Sequence, residues 1–190
     1  MRNKGQLLHD FVNLNSCDVF GLCETHIKPN DTPSFLSELS PPGFSLFQTP
    51  RVGKPGGGVG FLVRKVFDYH QINAPTFSTF ECIVISVQYS NHCINLASIY
   101  KPPEKSMPLF RNEFASFSGY LSTLPSTTVI TGDFNIHWDV DDSCKQDFQL
   151  VLEACNLTQF VNFPTQIHGH TLDFIVAPSN FNGISSVRND

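Results

Sequence analysis

Apolar positions recur at helical spacing over residues 4–15, through Leu7, Leu8, Phe11, Val12 and Leu14, and predict an amphipathic helix there. Asp18 to Cys23 is a short, nearly continuous apolar run, the pattern of a buried strand. A Pro-rich stretch around Pro29, Pro33, Pro41 and Pro42 reads as a loop. Gly56-Gly57-Gly58 then marks a turn ahead of a strand from Val59 to Val66. Cys82 to Tyr89 and Cys93 to Tyr100 are β-rich runs around Ser90-Asn91-His92, which predicts a hairpin. A second helical stripe covers 106–124 through Met107, Phe110, Phe114, Phe117, Tyr120, Leu121 and Leu124. Thr127 to Thr131 follows as a strand, 144–156 as a helix, and 172–177 and 184–187 as closing strands. With helices set between groups of strands, the pattern predicts layered α+β or α/β architecture, sheets inside and helices outside.

The chain has 190 residues, 41% of them hydrophobic, which suits one domain with a substantial core. Phe contributes 18 residues, so that core is built largely on benzyl groups. No apolar run reaches the roughly 18–20 residues of a membrane span. The opening Arg2-Asn3-Lys4-Gly5 is unlike a secretory leader. A net charge of −5 argues against holding nucleic acid by bulk positive charge. A local basic surface stays open, because Arg51, Lys54, Arg64 and Lys65 lie in a stretch without acids; a solvated loop and strand end is the plainer reading. The six cysteines form no Cys-x-x-Cys pair, and reduced thiols in the cytosol or nucleus are the expectation.

Chemistry concentrates in Thr127-Thr-Val-Ile-Thr-Gly-Asp133-Phe-Asn135. In extended chain, positions two apart face the same way, so Asp133 and Asn135 would point into one site. On spacing alone, an Asx turn closing a strand explains the same residues. Glu24 ends the first apolar strand, where a hard cation such as Mg²⁺ finds carboxylate ligands while keeping several waters. Asp173 opens the late strand among apolar neighbours and needs a partner if buried. Three acids and an Asn at strand ends suggest one rim. Gly56-Gly57-Gly58 lacks the Gly-Lys-Ser/Thr of a phosphate-binding loop. His168-Gly-His170 offers two imidazoles for zinc but no third ligand at suitable spacing.

In order, Cys-Glu-Thr-His at 23–26, Gly-Gly-Gly-Val-Gly-Phe-Leu-Val at 56–63, Ile-Tyr-Lys-Pro-Pro at 99–103, Gly-Asp-Phe-Asn-Ile-His at 132–137 and Gly-His-Thr-Leu-Asp-Phe-Ile at 169–175 span nearly the whole chain. This ordered set resembles the endonuclease/exonuclease/phosphatase superfamily, and more closely the apurinic-type endonuclease domain of non-LTR (LINE-type) retrotransposons. Asn156-Leu-Thr-Gln-Phe-Val and Pro164-Thr-Gln resemble its L2-like branch. The resemblance implies a four-layer α/β sandwich, two packed mixed β-sheets flanked by helices, over residues 1–190. It implies Mg²⁺-dependent phosphodiester hydrolysis (Mn²⁺ being able to substitute), with DNA as the substrate that is nicked. Glu24 resembles the metal-binding acid, and Tyr100 the tyrosine on the phosphate or leaving group. Asp133 resembles the acid that orients or deprotonates water, Asn135 the amide that holds the phosphate, and Asp173 the supporting late acid.

The family's first strand, with its Asn, and its closing Ser-Asp-His are not found in this sequence. The expectation is therefore a domain lacking its first and last strands, with impaired hydrolysis. Two other readings follow: a catalytically inactive remnant that binds nucleic acid or protein, and, more distantly, a phosphatase acting on a small phosphoester. The expected setting is intracellular, cytoplasmic or nuclear, without membrane attachment.

Overall fold

The computed structural model describes residues 5–184, 186 and 187. Its elements are α1 (Gly5–Leu14), β1 (Val19–Cys23), α2 (Pro33–Leu39), β2 (Phe44–Thr49), β3 (Val59–Arg64), β4 (Asp68–Ile72) and β5 (Glu81–Tyr89). They continue as β6 (His92–Tyr100), α3 (Met107–Ser122), β7 (Thr128–Asp133), α4 (Ser143–Ala154), β8 (Leu157–Gln159) and β9 (Asp173–Pro178).

The strands form two sheets, neither closed on itself: three strands in the order β1-β3-β2, and six in the order β4-β5-β6-β7-β9-β8. Every pairing is antiparallel except β6 with β7. A parallel pair needs a long crossover, and α3 supplies it.

Alternation along the strands decides which layer each side chain joins. Val59, Phe61 and Val63 of β3 pack against Ile83, Ile85 and Val87 of β5, filling the space between the sheets. Their neighbour Leu62 faces the other way, onto Val12 of α1 and Phe44 of β2. On the six-stranded sheet, Val84, Ala97, Ile99, Ile130, Phe174 and Val176 meet Phe110, Phe114 and Phe117 of α3 and Phe148 of α4. The result is the four-layer order helix, sheet, sheet, helix. Phe134 and Phe148 stand 5.6 Å apart at the ring centroids, and Phe134 stacks on Phe174 at 4.7 Å. These benzyl contacts fix the end of β7 against β9, directly under the polar rim described below.

Four elements depart from the sequence pattern. α2 forms within the Pro-rich stretch because Pro33 sits in the first turn, where its missing N–H costs nothing, and the Thr32 hydroxyl accepts from the Phe35 N–H. β2, β4 and β8 are short or largely unburied strands whose pairing comes from neighbours rather than from their own apolar pattern. No strand forms at 184, 186 or 187, and residue 185 and the segment 1–4 lie outside the described residues.

Candidate active site

Four strands end at one rim. Glu24 follows β1, Tyr100 ends β6, Asp133 ends β7 and Asp173 begins β9. Tyr100 lies directly opposite Asp133 in the β6–β7 pair, and Asp133 directly opposite Asp173 in the β7–β9 pair. The five residues expected from the sequence are therefore brought to the same edge of the sandwich.

Backbone geometry at this rim is demanding. Gly132 has φ +141°, and a Cβ there would fall 1.9 Å from the Ile99 carbonyl oxygen, so only glycine lets β7 run this close to β6. Glu24 and Asn135 both occupy the left-handed region, at φ 50° and 49°. Asn tolerates this conformation, whereas for Glu it is a strained choice that the surrounding contacts must hold. They do so through the glycine turn: the Thr25 and His26 N–H groups donate to the carbonyls of Gly58 and Gly57 at 3.1 and 2.8 Å. Gly58, at φ +87°, has no room for a Cβ, which would lie 2.5 Å from the Thr25 hydroxyl. The turn read from Gly56-Gly57-Gly58 thus serves as the brace for the Glu24 loop.

The side chains are held as follows. The Tyr100 hydroxyl donates to Glu24 Oε1 at 2.5 Å. Burial, together with that bond and the nearby Glu24 and Asp133 charges, pushes the phenol well above its ordinary pKa, so it remains a donor. The Asn135 N–H donates to Asp133 Oδ1 at 3.0 Å, and Asn135 Nδ2 donates to the Lys101 carbonyl at 2.9 Å. Burial first, and the Asp173 charge second, raise the Asp133 carboxyl to about 6. The Asp173 carboxyl is also raised, because the surrounding protein takes part of its hydration even though the residue reaches solvent. Cys23 is pushed up to about 12 by burial, which leaves it an inert thiol that accepts the Asp133 N–H at 3.4 Å.

Two features lie outside what the sequence pattern offered. Arg51 pairs with Glu81 through its Nε, and its guanidinium sits 5.4 Å over the Tyr100 ring. Burial opposes the Arg51 charge, but the Glu81 carboxylate more than offsets it. Glu81 also accepts from the Gly58 N–H at 2.5 Å, tying the brace to the rim. Lys101, only 3% exposed, is a buried cation with its Nζ 3.5 Å from the Pro102 carbonyl; burial lowers its pKa. Neither is detectable by spacing, since each depends on packing between distant segments. The basic surface left open by the sequence is correspondingly reduced, with Arg51 on Glu81 and Arg64 on Asp18, 2.8 Å apart.

The rim's donor set suits a hard cation. Glu24, Asp133 and Asp173 offer carboxylate oxygens, and among the described residues none of them is in an ion pair. They do not form a three-ligand cage within 4.8 Å, which fits an ion bound by one or two carboxylates and several waters. The one three-ligand group among the described residues is elsewhere, at His137, Asp139 and His170. This corrects the pairing of His168 with His170: His168 is exposed and outside that group. All six cysteines are free.

Two packed sheets carrying acids and an amide on converging strand ends define an α/β sandwich with a polar site at one end. The chain belongs to the Endonuclease/Exonuclease/phosphatase family, whose sequence model matches residues 1–190. Nucleases of this family generally use divalent metal ions. Among solved structures, it is similar to the endonuclease domain of TRAS1, a telomere-specific non-LTR retrotransposon, with TM-score 0.68, 14% identity, and 95% of this chain and 81% of that one covered. The human Nocturnin catalytic domain gives TM-score 0.65 at 14% identity, covering 93% and 74% of the two chains. The AP endonuclease LMAP from Leishmania major gives 0.64 at 12% identity, again covering 93% and 74%. No curated protein matches the chain. At these identities the likeness is one of fold. No helix among the described residues is long and apolar enough to cross a membrane.

Proposed function

We propose that this chain is a Mg²⁺-dependent phosphodiesterase that nicks DNA, the endonuclease domain of a LINE-type retroelement. The observation that carries the reading is the convergence of Glu24, Tyr100, Asp133, Asn135 and Asp173 on one rim, from the ends of β1, β6, β7 and β9. The similarity to the TRAS1 endonuclease domain supports it, as does the family membership.

Each residue has a task its environment suits. Glu24 would hold the cation, which supplies positive charge to the phosphoryl oxygens when bound. Asp133, with its carboxyl near 6, is ionised at neutral pH yet basic enough to accept a proton from the attacking water. Asp173 maintains that basicity through its charge. Asn135, with its backbone pinned to Asp133 and its amide to Lys101, presents a fixed dipole to a phosphate oxygen. Tyr100 keeps its single proton, held on Glu24 in this structure, and would turn it from Glu24 to the phosphate or leaving oxygen when substrate binds. Glu24 and Asp173 are exposed, and neither lines the cleft of about 820 Å³ beside Arg51 and Glu81. An open rim suits a polymeric phosphodiester better than a small enclosed phosphoester.

Conversion of supercoiled plasmid to the nicked form tests the proposal. Nicking with Mg²⁺, lost with chelator and in Glu24→Ala and Asp133→Ala, is the expected result. Salt-dependent binding to duplex DNA without nicking would assign a binding module instead. Release of phosphate from small phosphoesters with intact plasmid would assign a phosphatase.

A further inference from the structure

Beyond the acids of the rim, the loop after β7 and the approach to β9 meet in a second cluster. Phe134 and Trp138 donate their N–H groups to the carbonyls of Leu172 and Thr171 at 3.0 and 3.1 Å, so the two segments run side by side. This places the His137 and His170 rings 4.3 Å apart and brings Asp139 to His170, with Nδ1 to Oδ2 at 2.8 Å. The other Asp139 oxygen accepts the Thr171 N–H at 2.8 Å, fixing the carboxylate. His137 is exposed, and its ring nitrogens meet no hydrogen-bond partner among the described residues. One ligand atom from each of the three residues lies within 4.8 Å of the others.

We propose that His137, Asp139 and His170 form a binding site for a borderline transition-metal dication of the Zn²⁺ class, separate from the hard-cation acids at Glu24 and Asp133. Two imidazoles and one carboxylate are the donors that such ions prefer, whereas Mg²⁺ takes oxygen and retains its waters. Ligands about 2.0–2.2 Å from zinc stand about 3.3 Å from each other in a tetrahedron, so the cluster closes on an ion with side-chain adjustments of about 1 Å. The Thr171 N–H acts as the outer hydrogen bond that orients the carboxylate ligand. Three protein ligands leave one position open to water or an anion. An ion here clamps the loop carrying Asn135, two residues before His137, to the segment leading into Asp173, three residues after His170.

Trp138, the chain's one tryptophan, lies between two of the ligands and provides the readout. Zn²⁺ is titrated calorimetrically into the full chain with its exposed cysteines, Cys17, Cys93 and Cys144, alkylated, and Co²⁺ or Ni²⁺ quenching of Trp138 fluorescence is followed in parallel. Saturable 1:1 binding is expected, undiminished by excess Mg²⁺ and unchanged in Asp133→Asn. The double variant His137→Gln/His170→Gln should weaken it at least about tenfold, with circular dichroism and thermal unfolding of the metal-free protein checking its fold. The exposed single variant His137→Gln should show the same direction of change. Unaltered affinity in both His variants overturns the proposal. So does binding that disappears on cysteine alkylation, or that Mg²⁺ displaces.

Discussion

Asp133 and Asp173 face each other directly across the antiparallel pair β7–β9, two acids on adjacent strands with no described cation between them. Burial first, and the Asp173 charge second, make ionisation of Asp133 harder, while at Asp173 the raised pKa comes from burial. Asp173→Asn removes only the second of these causes. The Asp133 pKa should therefore fall from about 6 but stay above the ordinary aspartate value, a drop of less than about one unit. Carboxyl NMR titration of the metal-free protein reads the shift, and no movement would separate the two acids functionally.

Because the folded protein raises the Asp133 pKa, it favours the protonated form. The stabilisation this brings is complete below the unfolded value of 3.8 and is lost as pH rises through about 6. Asp133→Asn mimics the neutral form. It should therefore be more stable than the parent protein above pH 6, by on the order of 1–3 kcal/mol, with the gain shrinking below pH 4. Thermal unfolding across pH checks this. Hydrolysis should fall by about 10²–10⁴ in the same variant, giving higher stability with lost activity.

The wild-type pH profile carries a related signature. A base must be ionised to act, so kcat/KM for nicking should rise with pH and level off once Asp133 has lost its proton. A bound cation favours the ionised form, so the midpoint should lie at or below about 6. A midpoint well above 7 would point to a different base.

Tyr100→Phe leaves the ring, 6% exposed, in the core between the sheets and deletes only the bond to Glu24. The fold should persist, with a stability loss of about 1–2 kcal/mol. Nicking should fall by about 10²-fold, in kcat rather than KM, if the hydroxyl acts chiefly on the developing charge. Denaturant unfolding and steady-state kinetics measure the two effects separately.

Gly132→Ala tests the rim's backbone. Its Cβ would be driven into the Ile99 carbonyl, and neither β6 nor β7 can move without breaking the pairing that aligns Tyr100 with Asp133. A loss of more than about 4 kcal/mol, or failure to fold, is expected from thermal unfolding.

Much of the architecture is legible in side-chain periodicity. Val59, Phe61 and Val63 against Leu62, and the Phe stripe of α3, assign faces because a strand repeats every two residues and a helix every 3.6. α2 was hidden because proline signals a break unless its place in the first turn is known. β4 and β8 carry little apolar pattern, and only the neighbouring strand's hydrogen-bonding edge makes them strands. At the site, Glu24, Tyr100, Asp133, Asn135 and Asp173 were readable as short motifs. The Arg51–Glu81 pair, the buried Lys101 and the joining of His137 to His170 were not.

The sequence by itself determined that sheets lie inside and helices outside, because periodicity is a local property, and its ordered motifs singled out the acids by their resemblance to the family. Tertiary structure alone decided which distant groups touch. The crossover through α3 sets β7 beside β6, β9 returns antiparallel to β7, and the benzyl layer beneath locks that register. Asp133 owes its raised pKa to burial and to Asp173, forty residues on, and His137 meets His170, thirty-three residues on. Such contacts depend on three-dimensional chain return, which no spacing along the chain encodes.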